Sequence, residues 1–104
     1  MTDWEVKTAP FRQDHPCLAG HFPGNPIIPG TLILDRVIDT LTQKYPSLVV
    51  SEVVSAKFLH PLKPGEHFTI IYREKPGEML FECRTGDTPL SSGRLKLSQS
   101  GEPL

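Results

Sequence analysis

Cysteine is scarce, charge of one sign is nowhere in excess, and long apolar runs are missing; each shortage narrows what this chain can be. The two cysteines among 104 residues, Cys17 and Cys83, stand far apart without CxxC or Cys/His ligand spacing. That pattern suggests neither a metal site nor a disulfide framework, and it fits a reducing cytoplasm. With a formal net charge of −1, nothing compels a nucleic-acid or membrane-surface partner. No apolar run approaches the ~20 residues that span a bilayer, and Met1 is not followed by the basic-then-apolar pattern of an export signal. Repeats, low-complexity tracts and linkers are lacking as well, so residues 1–104 read as a single domain. At this length one core is only just comfortable, which makes a homodimer or a higher homo-oligomer the expectation.

What the chain does contain is proline and glycine, eleven and eight residues respectively, set mostly at turns. "DWEVKTAPF" alternates at Trp4 and Val6 as an opening strand would. The following "FRQDHPCLAGHFPGNPIIPG" is too rich in residues that fix φ or remove a donor to be regular, and it reads as a shaped loop. From Thr31 the apolar residues Ile33, Leu34, Val37, Ile38 and Leu41 recur at helical spacing, predicting one helix that ends near Lys44, before Pro46. The remainder reads as strands: "SLVVSEVVSAKFLHPL", then "EHFTIIYRE" and "EMLFECRT" around a "KPG" turn, then "PLSSGRLKLS". A short strand, one helix and about four strands imply an α+β fold, an antiparallel sheet wrapped around a single buried helix. Such a sheet has exposed edges, and pairing them between two chains would cover them.

Charge is mildly segregated. Met1 to Ala56 holds four Lys/Arg against six Asp/Glu, whereas Lys57 to Lys96 holds seven against five. The second segment is either an ordinary solvated surface or a face for an acidic partner. His15, His60 and His67 have no carboxylate or cysteine at ligand spacing and read as surface or strand residues, so no metal is expected.

One stretch stands apart. "GHFPGNPIIPGTLILD", Gly20 to Asp35, sets three prolines and three glycines around His21 before the helix begins. Pro29 and Gly30 occupy the helix entry, where proline is tolerated and glycine lets another group approach the backbone closely. This stretch resembles the active-site signature of the FabA/FabZ-type 3-hydroxyacyl-acyl carrier protein dehydratases in its His-Phe-Pro-Gly, its second Pro-Gly and its acidic residue in the helix. Downstream, "AKFLHPLKPGE" is similar to a strand and turn of the same family, and "DHPCLAGHF" upstream matches as well.

The resemblance implies a hotdog fold, a curved antiparallel sheet around a central helix, with two chains forming one continuous sheet. It implies that 3-hydroxyacyl thioesters on acyl carrier protein are dehydrated to trans-2-enoyl thioesters, in fatty acid or related polyene biosynthesis. His21 matches the catalytic histidine, Asp35 the catalytic carboxylate, and Gly30 the residue whose N–H meets the thioester carbonyl. Phe22, Pro23, Gly24 and Pro29 would position the loop. The family places histidine and acid of one site on different subunits. It uses no cofactor of its own, the phosphopantetheine arm belonging to the carrier protein.

These roles suit the chemistry. A neutral imidazole accepts a proton near neutral pH. A carboxyl that must donate one needs an apolar surrounding, and Asp35 lies one helical turn from Leu32 and Ile38 while Arg36 points about 100° away. An N–H at a helix start, aided by the helix dipole, can meet charge on a thioester oxygen. The chain departs from the family in carrying Asp39 where a Gln is common one turn after the acid, and in being shorter at both ends. Shortness with Asp as acid also resembles dehydratases of specialised polyene pathways. Against this stand plainer readings: His21 capping a turn, Asp35 as an ordinary polar-face residue, a hotdog thioesterase, or a non-catalytic acyl-binding module.

Overall fold

The computed structural model of the chain describes residues 3–12 and 27–99. Six elements follow in order: β1 (Asp3–Thr8), α1 (Gly30–Lys44), β2 (Leu48–Phe58), β3 (Phe68–Lys75), β4 (Glu78–Thr85) and β5 (Thr88–Gln99). The five strands form one antiparallel sheet in the order β1-β3-β4-β5-β2. The α+β arrangement read from the sequence is therefore the one observed, with the helix starting at Gly30 and ending where Pro46 forbids its continuation.

Strand periodicity decides which face meets the helix. Phe68, Ile70 and Tyr72 of β3 alternate with outward residues, as do Met79, Phe81 and Cys83 of β4, and all six are buried. Against them α1 lays Ile33, Val37 and Leu41, with Leu34 and Ile38 partly buried at the flanks. Tyr72 bolts the two layers together: its hydroxyl donates to the Val37 carbonyl at 2.6 Å, and its ring stacks on Trp4 of β1. Burial pushes the Tyr72 phenol above its ordinary range, so it stays a donor at all working pH.

The "KPG" turn forms as expected, with Pro76 fixing one dihedral and Gly77 at φ +71° supplying the left-handed position that closes β3 onto β4. Two features were not legible beforehand. β5, with Pro89 near its start, lies inside the sheet rather than at its margin; the proline is accommodated beside a register irregularity between Cys83 and Arg84. β2 is an edge, and although it is rich in valine its pattern is mostly exposed. Val49, Val53, Val54 and Phe58 are its exposed large apolar residues, and Leu59 directly after it is exposed as well.

The layer contact predicts an order of stabilities. Tyr72→Phe keeps the ring and loses one buried hydrogen bond, costing about 0.5–1.5 kcal/mol. Leu41→Ala empties a fully buried site and costs about 2–5 kcal/mol. Urea unfolding should give that order with an unchanged m-value, and equal costs would show that the hydroxyl matters more than the packing.

Candidate functional site

The chain enters α1 under tight restraint. Ile28 donates its N–H to the Leu62 carbonyl at 2.8 Å, an isolated bridge between two buried residues. Pro29 then adopts φ −58° and ψ 141°, extended backbone that aims the next residue into the helix, and its carbonyl accepts from Leu32 N–H at 3.0 Å. No side chain caps this end, and among the described residues the Gly30 N–H has no hydrogen-bond partner. A backbone donor at a helix start with nothing to bind is what a thioester oxygen would require.

Any side chain at residue 30 would have to displace a neighbour. A Cβ placed there would lie 2.6, 2.7 and 2.9 Å from Cε1, Cδ1 and Cζ of Phe58. Sequence reading allowed a close approach at Gly30 but did not find its cause, which is an aromatic ring from the far end of β2. The strand brings it there because β2 and β5 pair so that Phe58 opposes buried Ser91, turning Phe58 to the helix side and Lys57 to the other. Beyond Phe58, the Leu59 and His60 N–H groups both donate to the Leu90 carbonyl, at 2.7 and 3.3 Å. The downstream "KPGE" is a turn: Gly65 at φ +87° donates to the Phe11 carbonyl at 2.9 Å, and Glu66 accepts from Lys63 N–H at 2.8 Å.

Asp35 stands in the second turn, about 7.5 Å along the axis from Gly30 and about 140° around it. It is exposed in the single chain, as is Asp39 one turn on, with partly buried Leu32 and Ile38 beside it. Among the described residues Asp35 has no ion pair or hydrogen bond. The expectation that Arg36 need not pair with it holds, because Arg36 Nη1 donates to the Ala9 carbonyl at 2.8 Å and the guanidinium stacks 4.3 Å from the Phe11 ring. The apolar surrounding expected for Asp35 is not complete within one chain.

His21, Phe22, Pro23 and Gly24 lie outside the described residues, as do His15 and Cys17. His60 and His67 are exposed, and His60 Nδ1 sits 2.8 Å from the Pro61 carbonyl. Among the described residues no three metal-ligating side chains gather, and no helix is long and apolar enough to cross a membrane. Cys83 is buried on the helix side of β4, where desolvation pushes its thiol from 9.0 up to about 11.

Residues 2–94 match the model of the ApeI-like family, described as ApeI dehydratase. A 3-hydroxyacyl-[acyl-carrier-protein] dehydratase FabZ of Ehrlichia chaffeensis is 33% identical over 88 residues, covering 75% of this chain and 59% of the relative. The FabZ of Fusobacterium nucleatum is 40% identical over 62 residues, covering 54% and 43%. The chain thus spans less than two thirds of the length of these curated relatives. Among solved structures, the dehydratase heterocomplex ApeI:P from Xenorhabdus doucetiae superposes with a TM-score of 0.77 at 26% identity, covering 91% of this chain and 86% of that one. The fluoroacetyl-CoA thioesterase FlK gives 0.67 at 12% identity, covering 94% and 84%, a likeness of fold alone. The fold is a hotdog.

The buried thiol yields a check on the packing. The raised Cys83 pKa contributes stability that is fully present below pH 9.0 and is lost as pH rises through about 11. Peptide-mapped alkylation of the native protein below that window should therefore leave the Cys83 peptide unmodified until denaturant is added. Fast native labelling of that peptide would mean that the helix does not cover β4 as described.

Proposed function

We propose that this chain, which belongs to the ApeI-like dehydratase family, removes water from 3-hydroxyacyl groups carried as thioesters on acyl carrier protein. The observation that carries this reading is the presence on one helix of Gly30, whose N–H has no partner among the described residues, and of exposed Asp35, directly after the stretch of sequence that carries His21.

In this reading the Gly30 N–H receives the thioester carbonyl, and its position at the positive end of α1 lowers the cost of negative charge there. His21, neutral, takes the proton from the carbon next to the carbonyl. The electrons of that C–H bond form the double bond, the neighbouring C–O bond breaks, and Asp35 gives its proton to the departing hydroxyl. Water and the trans-2-enoyl thioester are the products. The histidine is then protonated and the aspartate ionised, so a net proton return through water resets the pair. The step needs no redox cofactor, since no electrons leave the substrate.

Asp35 can hold a proton at working pH only if apolar groups surround it. The exposed apolar side of β2 and the unpaired backbone of that edge suit a second chain laid antiparallel alongside, which would cover Leu32, Ile38 and Asp35 together. The partner is a second copy of this chain, or a related hotdog chain of the kind that the Xenorhabdus heterocomplex names. For an acidic carrier protein, the register sets Lys57, Arg73, Arg84, Arg94 and Lys96 on the sheet face turned away from the helix, with Lys63 in the turn after β2. A carrier-bound substrate places the work in the cytoplasm.

Two measurements test this. Mass spectrometry of a 3-hydroxyacyl-carrier-protein substrate should register loss of one water with the wild type and a fall of about 10²–10⁴-fold with His21→Ala or Asp35→Asn. Asp35→Asn should leave urea stability within about 0.5 kcal/mol, as befits an exposed position. Free thiol without water loss would favour the thioesterase, and binding without turnover the acyl-binding module. For the edge, Val53→Lys should shift the dimer to monomer in sedimentation and abolish activity together; a monomer that remains active would overturn the shared site.

A further inference from the structure

We infer that Phe58 is a substrate-contacting residue: its ring, seated against Gly30, offers its open face to the acyl group beside the thioester. The assignment takes its substrate class from the dehydratase reading above, but its geometry stands apart from that reading.

The geometry is specific. Three adjacent ring atoms of Phe58 lie at nearly equal distances, 2.6–2.9 Å, from the Cβ position of residue 30. Approach to the rim would leave the neighbouring atoms much farther than the nearest one, so residue 30 meets the face of the ring. Yet Phe58 is 54% exposed, and Leu59 after it 56%. A phenyl ring held by one face and bare on the other is an aromatic platform. The ring fills the space that a side chain of residue 30 would take, at a helix start where the Gly30 N–H has no partner among the described residues.

The chemistry explains why a flat platform should sit there. A saturated 3-hydroxyacyl group has tetrahedral carbons next to the carbonyl and presents a corrugated surface to the ring. Removing the proton flattens that segment into an enolate, and loss of water leaves a planar conjugated enoyl thioester. A flat π-system packs on an aromatic face better than a puckered chain does. Contact with Phe58 therefore tightens as the reaction proceeds, which is the condition for an interaction to raise kcat rather than merely lower KM.

Six proteins separate this role from a structural one: wild type, Phe58→Leu, Phe58→Tyr, Phe58→Ala, Gly30→Ala and the Gly30→Ala/Phe58→Ala double variant. The first readout needs no turnover. Trans-2-octenoyl pantetheine is titrated in, and the vinyl proton shifts are followed by NMR. Stacking moves these protons upfield in the wild type and in Phe58→Tyr, and the displacement disappears in Phe58→Leu, which keeps apolar bulk without a ring. The second readout is kinetic: Phe58→Leu lowers kcat about three- to tenfold with KM little changed, and Phe58→Tyr restores most of it. Gly30→Ala pushes the ring off its seat and costs activity, but adds little when combined with Phe58→Ala, since no ring is left to displace.

Vinyl shifts that are equal in wild type and Phe58→Leu, or no binding by the wild type, would overturn the assignment. So would a change from dimer to monomer in Phe58→Leu, which would make the ring an interface residue. Shifts that depend on Phe58 in a wild type that never releases water would uphold the platform and remove the dehydratase reading instead.

Discussion

Val37 and Tyr72 decide where everything else can lie. The helix carbonyl and the strand hydroxyl meet at 2.6 Å in a place without exposure, with Ile33 and Leu41 buried one turn on either side. A buried hydroxyl needs its acceptor, so α1 cannot rotate about its own axis without orphaning it. Rotation is the movement that would matter most here. With Val37 turned to the sheet, helical geometry leaves Asp35 on the opposite, open side and brings Gly30 round to face the sheet. One hydrogen bond and an apolar stripe thus set the directions in which the acid and the backbone donor point.

The two faces of α1 serve different demands. The inner face meets a complete core made by the same chain. The outer face carries Asp35 and Asp39 between partly buried Leu32 and Ile38, too apolar at its margins for a wholly solvated surface and too polar at its centre for a core. The nearest uncovered apolar strip in sequence order is β2, whose backbone is unpaired on one side. A second chain at that edge satisfies hydrogen-bonding groups and covers valines in one step, and it changes the dielectric around Asp35 as it does so. In that arrangement folding and assembly are linked, because the same edge that completes the sheet also completes the cover over the outer face of α1.

The helix and the β3–β4 hairpin were legible because their signals are local. Ile33, Val37 and Leu41 repeat at 3.6-residue spacing, Pro46 stops the helix, and Pro76-Gly77 can only turn. The candidate acid and the loop histidine were legible by likeness to a family motif, and Asp35 lies on α1 where that motif puts it, while His21 lies outside the described residues. What could not be read were the contacts between distant segments. Nothing in "VVSAKF" announces that its last ring will lie on a glycine twenty-eight residues earlier, because strand order and register determine that and local pattern does not. The same holds for β5, whose place inside the sheet depends on a local irregularity in the ladder beside Pro89. Arg36 was legible only as pointing away from Asp35; its partner, the Ala9 carbonyl, comes from before the loop.

The stretch of chain between Phe11 and Gly30 is anchored, at the described residues where it begins and ends, by parts of the fold that differ in kind. Its first end is fixed by Arg36 against Ala9 and Phe11 and by the Gly65 bond to Phe11, its second by the Ile28–Leu62 bridge. Two of these anchors belong to the segment from Lys63 to Glu66 or just before it, which also follows directly on Phe58. A displacement of that segment would shift both ends of the histidine-bearing loop and the ring over Gly30 at once. Phe11, Ile28 and the ring over Gly30 are thus tied to one short turn after β2, and substitutions there should disturb all three together rather than one at a time.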